Sequence, residues 1–216
     1  TKIKIDEKIK FFFKKLLPSI FSSGVTQINI LVGTIIASFQ TGAVSYLYYA
    51  DRVYQINLAI AGIAVGTVML PELSKYVKNK DLENITNLQN RALELCLFLS
   101  IPASVALVLA SEQIITSLFG YGSFDKDSVN NTALALTFFA LGVPAFSMLK
   151  IFSNFFFARN NTKIPFYFSL ISVSLNVIIS VSLFNKVGFI IIPIATSISS
   201  WINVFMQYFL IKKRNL

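Results

Sequence analysis

The chain has 216 residues, of which 55% are hydrophobic and only 13% are charged, and its mean hydropathy is +0.67. Soluble domains carry about 25% charged residues, and a soluble core of this size cannot bury 21 phenylalanines. The composition therefore excludes an ordinary soluble protein. The chain has no His and a single Cys, Cys96, which excludes His-based acid–base catalysis, a His or Cys metal cluster and a disulfide framework.

The apolar stretches predict an all-α, polytopic membrane protein. A bilayer core about 30 Å thick requires about 20 apolar residues per helix, and a turn signal at Gln40, Thr41 and Gly42 divides the first long stretch. We predict six transmembrane helices, at residues 16–39, 44–72, 91–110, 129–158, 164–184 and 188–210. Between the second and third we expect a polar segment with a short surface helix at 81–90, and before the fourth an interfacial stretch at 114–119.

The basic residues predict the orientation of these helices. Of the 19 Lys and Arg residues, 15 fall before the first helix, between the second and third, between the fourth and fifth, or after the last. Lys126 and Lys186 fall on the opposite side, and Arg52 and Lys150 fall within helices. The positive-inside rule then predicts that both ends of the chain are cytoplasmic. This asymmetry accounts for the net charge of +9, and nucleic-acid binding is not expected because no basic face with interleaved aromatic residues remains.

The N-terminal segment indicates that the chain is a piece of something longer. Thr1 is not an initiator Met, and no signal-peptide pattern follows it. Residues 2–15 alternate basic and apolar side chains, a pattern typical of a cytoplasmic linker or an interfacial helix.

The second predicted helix carries the most informative residue, Arg52. Six of its residues recur at spacings of three and four: Tyr48, Arg52, Gln55, Ala59, Gly62 and Gly66. They are predicted to share one helix face, and the two glycines have the GxxxG spacing that permits close helix packing. Counted at about 1.5 Å per residue from the start of the helix, Arg52 lies about 13 Å below the outer edge of the membrane.

An arginine at that depth costs at least about 2.5–3.5 kcal/mol, so it requires a water-filled cavity, a counter-ion or an anionic ligand. We favour an anion-binding role for Arg52. The alternative is an ion pair with another helix or with Asp51, although successive residues on a helix point about 100° apart.

Four of the predicted helices also carry a stripe of polar side chains. The stripes comprise Ser23, Gln27, Thr34 and Ser38, with Asn29 to one side; Ser147, Lys150 and Asn154; Ser169, Ser172, Asn176 and Ser180; and Thr196, Ser200, Asn203 and Gln207. Together with Arg52 they predict a hydrated central cavity, although packing between helices is the better explanation for any single Ser or Thr. Lys150 either faces this cavity or extends to the cytoplasmic interface. No span contains two carboxylates that could pair and no Walker A motif is present, so we expect neither an enzyme nor a cofactor.

Several motifs, in order along nearly the whole chain, resemble one family. They are TQIN at 26–29, YYADRVYQ at 48–55, GIAVGTVMLPELS at 62–74, LFGYGSF at 118–124, LGVPAF at 141–146, Lys150, and FARNNTKIP at 157–165. This combination resembles the MurJ/MviN family of lipid II flippases. Any one of the motifs would be a weak signal, and the set is specific.

The resemblance implies a membrane transporter of the multidrug/oligosaccharidyl-lipid/polysaccharide superfamily, built from two six-helix lobes. Residues 1–216 look like the second lobe alone, without the N-terminal lobe. The implied activity is transfer of lipid II, the lipid-linked peptidoglycan precursor, from the cytoplasmic to the periplasmic leaflet of the bacterial inner membrane by alternating access. Arg52 matches a cavity arginine that is implicated in binding the pyrophosphate. The expected substrate-binding residues are Arg52, Asp51, Gln55, Lys150 and Gln27.

Some members of the family have a sodium site that includes carboxylates. The nearest candidates here, Asn29, Asn176, Ser180 and Thr196, are all neutral, so sodium coupling is not expected. Two alternatives to lipid II transport stay open. One is export of another polyprenyl-linked saccharide or of a drug, and the other is a non-transporting membrane scaffold from a split gene.

Overall fold

A computed structural model describes residues 27–214, and its regular structure there is entirely helical. We number the helices α1 (Gln27–Ala37), α2 (Ala43–Asn79), α3 (Leu82–Leu109), α4 (Ser111–Phe119), α5 (Lys126–Ala140), α6 (Val143–Ala158), α7 (Lys163–Val187) and α8 (Ile191–Arg214). A 3-10 turn, Gly188–Ile190, precedes α8. The predicted interfacial segment at 2–15, the start of the first predicted helix and Ser23 lie outside the described residues.

Three apolar helical segments are long enough to cross a membrane: Ala43–Asn79, Leu82–Leu109 and Lys163–Arg214. The last reverses at Gly188, which has a φ of +73°, and its halves α7 and α8 then pack antiparallel. Helices α5 and α6 form a fourth segment with a bend of 44°. These helices confirm the predicted all-helical, multi-pass membrane fold. The predicted count of six transmembrane helices stays a prediction because α1 is described only from Gln27.

The predicted break at Gln40, Thr41 and Gly42 is confirmed, and glycines also stand at two further helix boundaries. Gly42 separates α1 from α2 with a φ of +78°, a conformation that glycine adopts without steric cost. Gly142 separates α5 from α6, and α4 ends at Gly120. The Gln40 side chain joins the turn between α1 and α2 to the turn between α7 and α8, because its Oε1 accepts a hydrogen bond from the backbone N–H of Phe189 at 2.9 Å.

The predicted surface helix at 81–90 is wrong, because it is the first part of α3. Helix α2 also continues past its predicted end at 72 and ends at Asn79. It contains Pro71 without a break. The reason is packing, since Met69 and Leu73 are buried on one side of this extension and offset the weak helix propensity of proline. The connection to α3 is therefore reduced to a turn at Lys80, whose φ is 57°.

Helices α3 and α5 each begin at an aspartate cap. The Asp81 carboxylate accepts a hydrogen bond from the backbone N–H of Asn84 at 3.2 Å, and the Asp125 carboxylate accepts one from that of Ser128 at 2.8 Å. Hydrogen bonds from the side chain and backbone of Ser128 hold the pKa of Asp125 below its ordinary value. Such caps satisfy backbone donors that have no partner within the helix.

Two clusters of buried apolar residues hold the lobe together. One, at the end that contains α4, joins α1, α2 and α5 around Ala50, Val53 and Leu136. The other, at the opposite end, joins α2, α3 and α6 around Leu73 and Phe155. Many large apolar side chains remain exposed, as a surface in contact with lipid requires.

Candidate functional site

The guanidinium of Arg52 is exposed on the outer surface of α2. Its Cζ lies 4.8 Å from the centroid of the Tyr48 ring, one turn earlier on the same helix. Within residues 27–214 the structure shows no ion pair to Arg52. The side chain is thus held by a cation–π contact, which leaves its charge available to an anion.

Asp51 belongs to a different environment from its neighbour. Its carboxylate is half-buried and accepts a hydrogen bond from Gln55 Nε2. Nearby Tyr54 is packed between the rings of Phe139 and Phe146, with centroid distances of 4.9 and 5.3 Å. Asp51 and Gln55 therefore form a local pair beside Arg52. The structure shows no ion pair between Asp51 and Arg52, although the two charges are close enough to attract each other.

The predicted polar face of α2 is broken, which corrects the sequence interpretation. Tyr48, Arg52 and Ala59 are exposed, whereas Gly62 and Gly66 are buried. The cause is a π-helical turn, Ala59–Ala64, which accommodates one more residue than an α-helical turn. The side chains after this turn therefore point in a different direction from the one that an uninterrupted α-helix would give them. Residue spacing that assumes an uninterrupted α-helix cannot predict this extra residue.

Gly62 and Gly66 pack against α6, as the GxxxG spacing predicts. A Cβ added to Gly62 would lie 3.0 Å from the Cα of Ser147 and 3.4 Å from the Lys150 Cγ. The carbonyl of Gly66 accepts a hydrogen bond from Asn154 Nδ2 at 2.9 Å. The stripe of polar residues on α6 is therefore partly used for helix contact.

Lys150 lies beside the π-turn rather than beside Arg52. Its stem covers Gly62, and its side chain is exposed. Gly62 is ten residues beyond Arg52, which corresponds to about 15 Å along a helix. The structure therefore does not bring these two cations together, although both lie on the exposed surface of the lobe. Gln27, at the start of α1, is exposed as well.

The polar stripes of α7 and α8 face each other inside the lobe, which corrects the expectation that they face a cavity. Ser180 Oγ donates to Asn176 Oδ1 at 3.1 Å, and Asn176 Nδ2 donates to Thr196 Oγ1 at 3.0 Å. Ser172 Oγ donates to the backbone carbonyl of Ser199 at 2.9 Å. Three of the four neutral candidates for an ion site are thus brought together as an interhelical hydrogen-bond chain. The fourth, Asn29, is half-buried on α1.

The contact between Arg52 and Tyr48 and the π-turn were not predicted. The first had a signal in the sequence, because an aromatic residue four positions before an arginine lies on the same side of a helix. The π-turn had none, since its six residues, AIAGIA, are ordinary apolar helix formers apart from the glycine. Within the described residues no group of three His, Cys, Asp or Glu side chains could hold a metal ion.

All of residues 1–216 match the family model described as Lipid II flippase MurJ. A probable lipid II flippase MurJ of Rhizobium meliloti (strain 1021) is 40% identical over 205 residues, which are 95% of this chain and 38% of that protein. A solved structure of lipid II flippase MurJ, in an inward closed conformation, is 31% identical with a TM-score of 0.84, and the match covers 98% of this chain and 45% of that one. The chain thus spans less than half the length of these relatives.

A more distant likeness concerns the fold alone. An outward-facing multidrug resistance MATE family transporter of the MOP superfamily matches with a TM-score of 0.78 at 18% identity. The match covers 92% of this chain and 44% of the transporter. It agrees with the lobe architecture that the sequence motifs imply.

Proposed function

The chain belongs to the lipid II flippase MurJ family, and on this premise we propose that it forms one lobe of a flippase for lipid-linked peptidoglycan precursors. The lobe would lie in the bacterial inner membrane with both ends in the cytoplasm. A second, N-terminal lobe is the expected partner, since the relatives are more than twice as long as the part this chain matches. The chemistry is transport without a covalent step, so no catalytic residue is assigned.

One observation carries the proposal: Arg52 is exposed on α2 and has no ion pair within residues 27–214, on a helix for which the residue count predicts mid-membrane depth. Arg52 lies nine residues after Ala43, which is about 13 Å along α2. An arginine at this depth would be costly against acyl chains. A bound pyrophosphate would offset that free-energy cost, because a guanidinium makes charge-assisted, bidentate hydrogen bonds to phosphate oxygens. The Arg52 guanidinium is therefore proposed to hold the pyrophosphate while the two lobes rock about it.

The other predicted residues have secondary parts in this proposal. Asp51 and Gln55, hydrogen-bonded to each other, lie beside Arg52 and would border the bound head group. Lys150 and Gln27 are exposed on other helices and would contact the head group at a different stage of its passage. Sodium coupling is not part of the proposal, since the candidate oxygens on α7 and α8 are used between helices.

The test is substitution of Arg52 in the full-length protein. Arg52→Ala should abolish growth complementation of a strain depleted of its flippase and should weaken binding of purified protein to lipid II by at least about tenfold, the loss of a charge-assisted contact. Arg52→Lys keeps the charge but not the bidentate geometry, and should retain part of both activities. Arg91→Ala removes an exposed arginine from the cytoplasmic part of α3 and is the matched control. Full rescue by Arg52→Ala at normal expression would remove Arg52 from the mechanism.

Binding comparisons separate lipid II from the alternatives. If the full-length protein binds another polyprenyl-linked saccharide more tightly than lipid II, the substrate assignment is wrong. If coding DNA for an N-terminal lobe is absent beside this segment and complementation fails with the wild-type sequence, the scaffold alternative replaces transport.

A further inference from the structure

Aromatic and hydroxyl side chains form an open cleft at the outer end of the lobe, between the start of α2 and the connection from α4 to α5. Its volume is about 460 Å³, within the range of about 300–1,000 Å³ that small-ligand sites occupy. The lining residues are all uncharged and include Ser45, Tyr49, Phe119, Tyr121 and Phe124. Arg52 is not among the lining residues, but its partner Tyr48 contacts the lining residue Tyr49, with ring centroids 5.9 Å apart.

In the cleft, the ring of Tyr49 is held by neighbouring rings and that of Tyr121 is exposed to solvent. The Tyr49 ring lies 4.8 Å from Phe119 and 5.3 Å from Phe124, in an edge-to-face arrangement with the latter. Tyr121 is 73% exposed and stands in a turn where Gly122 has a φ of +66°. The cleft therefore has a rigid aromatic wall and a second aromatic side chain at its rim.

The cleft and Arg52 lie on the same face of α2. Ser45, Tyr49 and Arg52 are separated by four and three residues, and no π-turn interrupts this part of the helix. Along the axis, Tyr49 is about 4.5 Å and Ser45 about 10.5 Å from Arg52, both toward the outer end. Whatever is attached to an anion at Arg52 can thus extend directly into the cleft.

We propose that this cleft binds the saccharide of a lipid-linked pyrophosphate whose phosphates are held by Arg52, an inference that rests on the function proposed above. A pyranose ring has an apolar C–H face that packs on aromatic rings, as Tyr49 and Tyr121 offer. Its hydroxyls exchange hydrogen bonds with side-chain hydroxyls such as that of Ser45. A peptide stem carries charged groups, for which the uncharged lining provides no partner.

The experiment compares two lipids on the full-length protein: lipid II and undecaprenyl pyrophosphate, which lacks the saccharide. Tyr121→Ala should weaken binding of lipid II about fivefold, or about 1 kcal/mol at 1.4 kcal/mol per tenfold, and leave binding of undecaprenyl pyrophosphate unchanged. Tyr121→Phe keeps the ring and should restore most of the lost affinity. Tyr167→Ala removes a similarly exposed tyrosine from α7 and should change neither affinity.

The outcomes distinguish this proposal from the preceding one. Arg52→Ala should weaken binding of both lipids by the same factor, and its failure to do so contradicts the pyrophosphate assignment whatever Tyr121 does. If Tyr121→Ala weakens both lipids equally, or neither, the saccharide cleft is wrong. A third probe, lipid II with its peptide removed, should depend on Tyr121 as intact lipid II does. If that dependence disappears, the cleft binds peptide and the proposal is overturned.

Discussion

At the scale of single residues, two adjacent side chains of opposite charge have separate partners. Asp51 interacts with Gln55, within the same helix and toward the lobe interior, whereas Arg52 extends over Tyr48 at the surface. The separation follows from the turn of about 100° between consecutive helical residues. The proposed anion-binding role of Arg52 requires that its charge stays available in this way.

Gly62 permits a close contact between α2 and the backbone of α6, which leads to a stability prediction. Gly62→Ala would place a Cβ 3.0 Å from the Ser147 Cα, and a backbone atom cannot move aside without separating the helices. We expect a loss of about 1–3 kcal/mol, the usual cost of overpacking. Thermal unfolding of the full-length protein in detergent measures it.

The control is Gly33→Ala, in which the new Cβ would meet Ile192 Cγ2 at 3.5 Å, an ordinary contact. This substitution should be neutral or slightly stabilising, because alanine favours a helix by up to about 1 kcal/mol over glycine. Equal melting temperatures for the two variants would contradict the close packing of Gly62.

At the scale of elements, the π-turn lets one helix satisfy two packing interfaces. Before it, α2 buries Ala50 and Val53 in the cluster shared with α1 and α5; after it, α2 buries Gly62 and Gly66 against α6. The extra residue sets the angle between these two faces. Without it, no rotation of the helix would serve both interfaces.

Deletion of Ile60, an exposed residue within the π-turn, tests this role. The deletion would turn one half of α2 by about 100° and draw it in by about 1.5 Å relative to the other half. The buried residues on one side of the π-turn would then no longer face the helices they pack against. We expect a stability loss of about 2–5 kcal/mol, as for other large losses of core packing, together with loss of complementation. Thermal unfolding and growth assays provide the measurements.

Ile60→Ala, which preserves the residue count, is the comparison for the deletion. Since this side chain is exposed, its truncation should change stability by no more than about 0.5 kcal/mol. A deletion variant as stable as Ile60→Ala would mean that the turn does not set the facing of the two halves.

At the scale of the whole molecule, the charge distribution predicts which end of the lobe faces the cytoplasm. The end of α2 and the turn to α3 carry Lys75, Lys78 and Lys80, whereas the start of α5 carries Lys126. The positive-inside rule then predicts that Asn79 is cytoplasmic and Lys126 periplasmic. The cleft described above lies at the periplasmic end on this assignment.

Single-cysteine labelling checks the orientation, because Cys96 is the one cysteine of the chain and is buried. In a Cys96→Ala background, a membrane-impermeant maleimide added to spheroplasts should label Lys126→Cys and not Asn79→Cys. Both should be labelled after permeabilisation, and the background protein should stay unlabelled. The reverse pattern would show that the lobe has the opposite orientation.

Much of the site and fold could be predicted locally. Hydropathy identifies apolar helices because each residue contributes its own transfer free energy, and Gly42 marks the break between α1 and α2 through its positive φ. The depth of Arg52 follows from counting residues along one helix. The extension of α2 from 73 to 79 and the continuity of α3 through 81–90 were missed, since buried contacts such as those of Leu73 and Ile85 with other helices are not visible in the local sequence.

The amino-acid sequence by itself determined that this chain is helical and crosses a membrane several times, because each of these properties depends on residues that are neighbours in the sequence. The position of Arg52 within the membrane stays a prediction. Only the tertiary structure decided which side of each helix is buried. Gly62 meets Ser147, Asn176 meets Thr196, and Tyr49 meets Phe119, and these pairs depend on how separate helices pack. Which side of a helix is buried is decided by those contacts. A single π-turn changes that side, and the local sequence pattern does not indicate it.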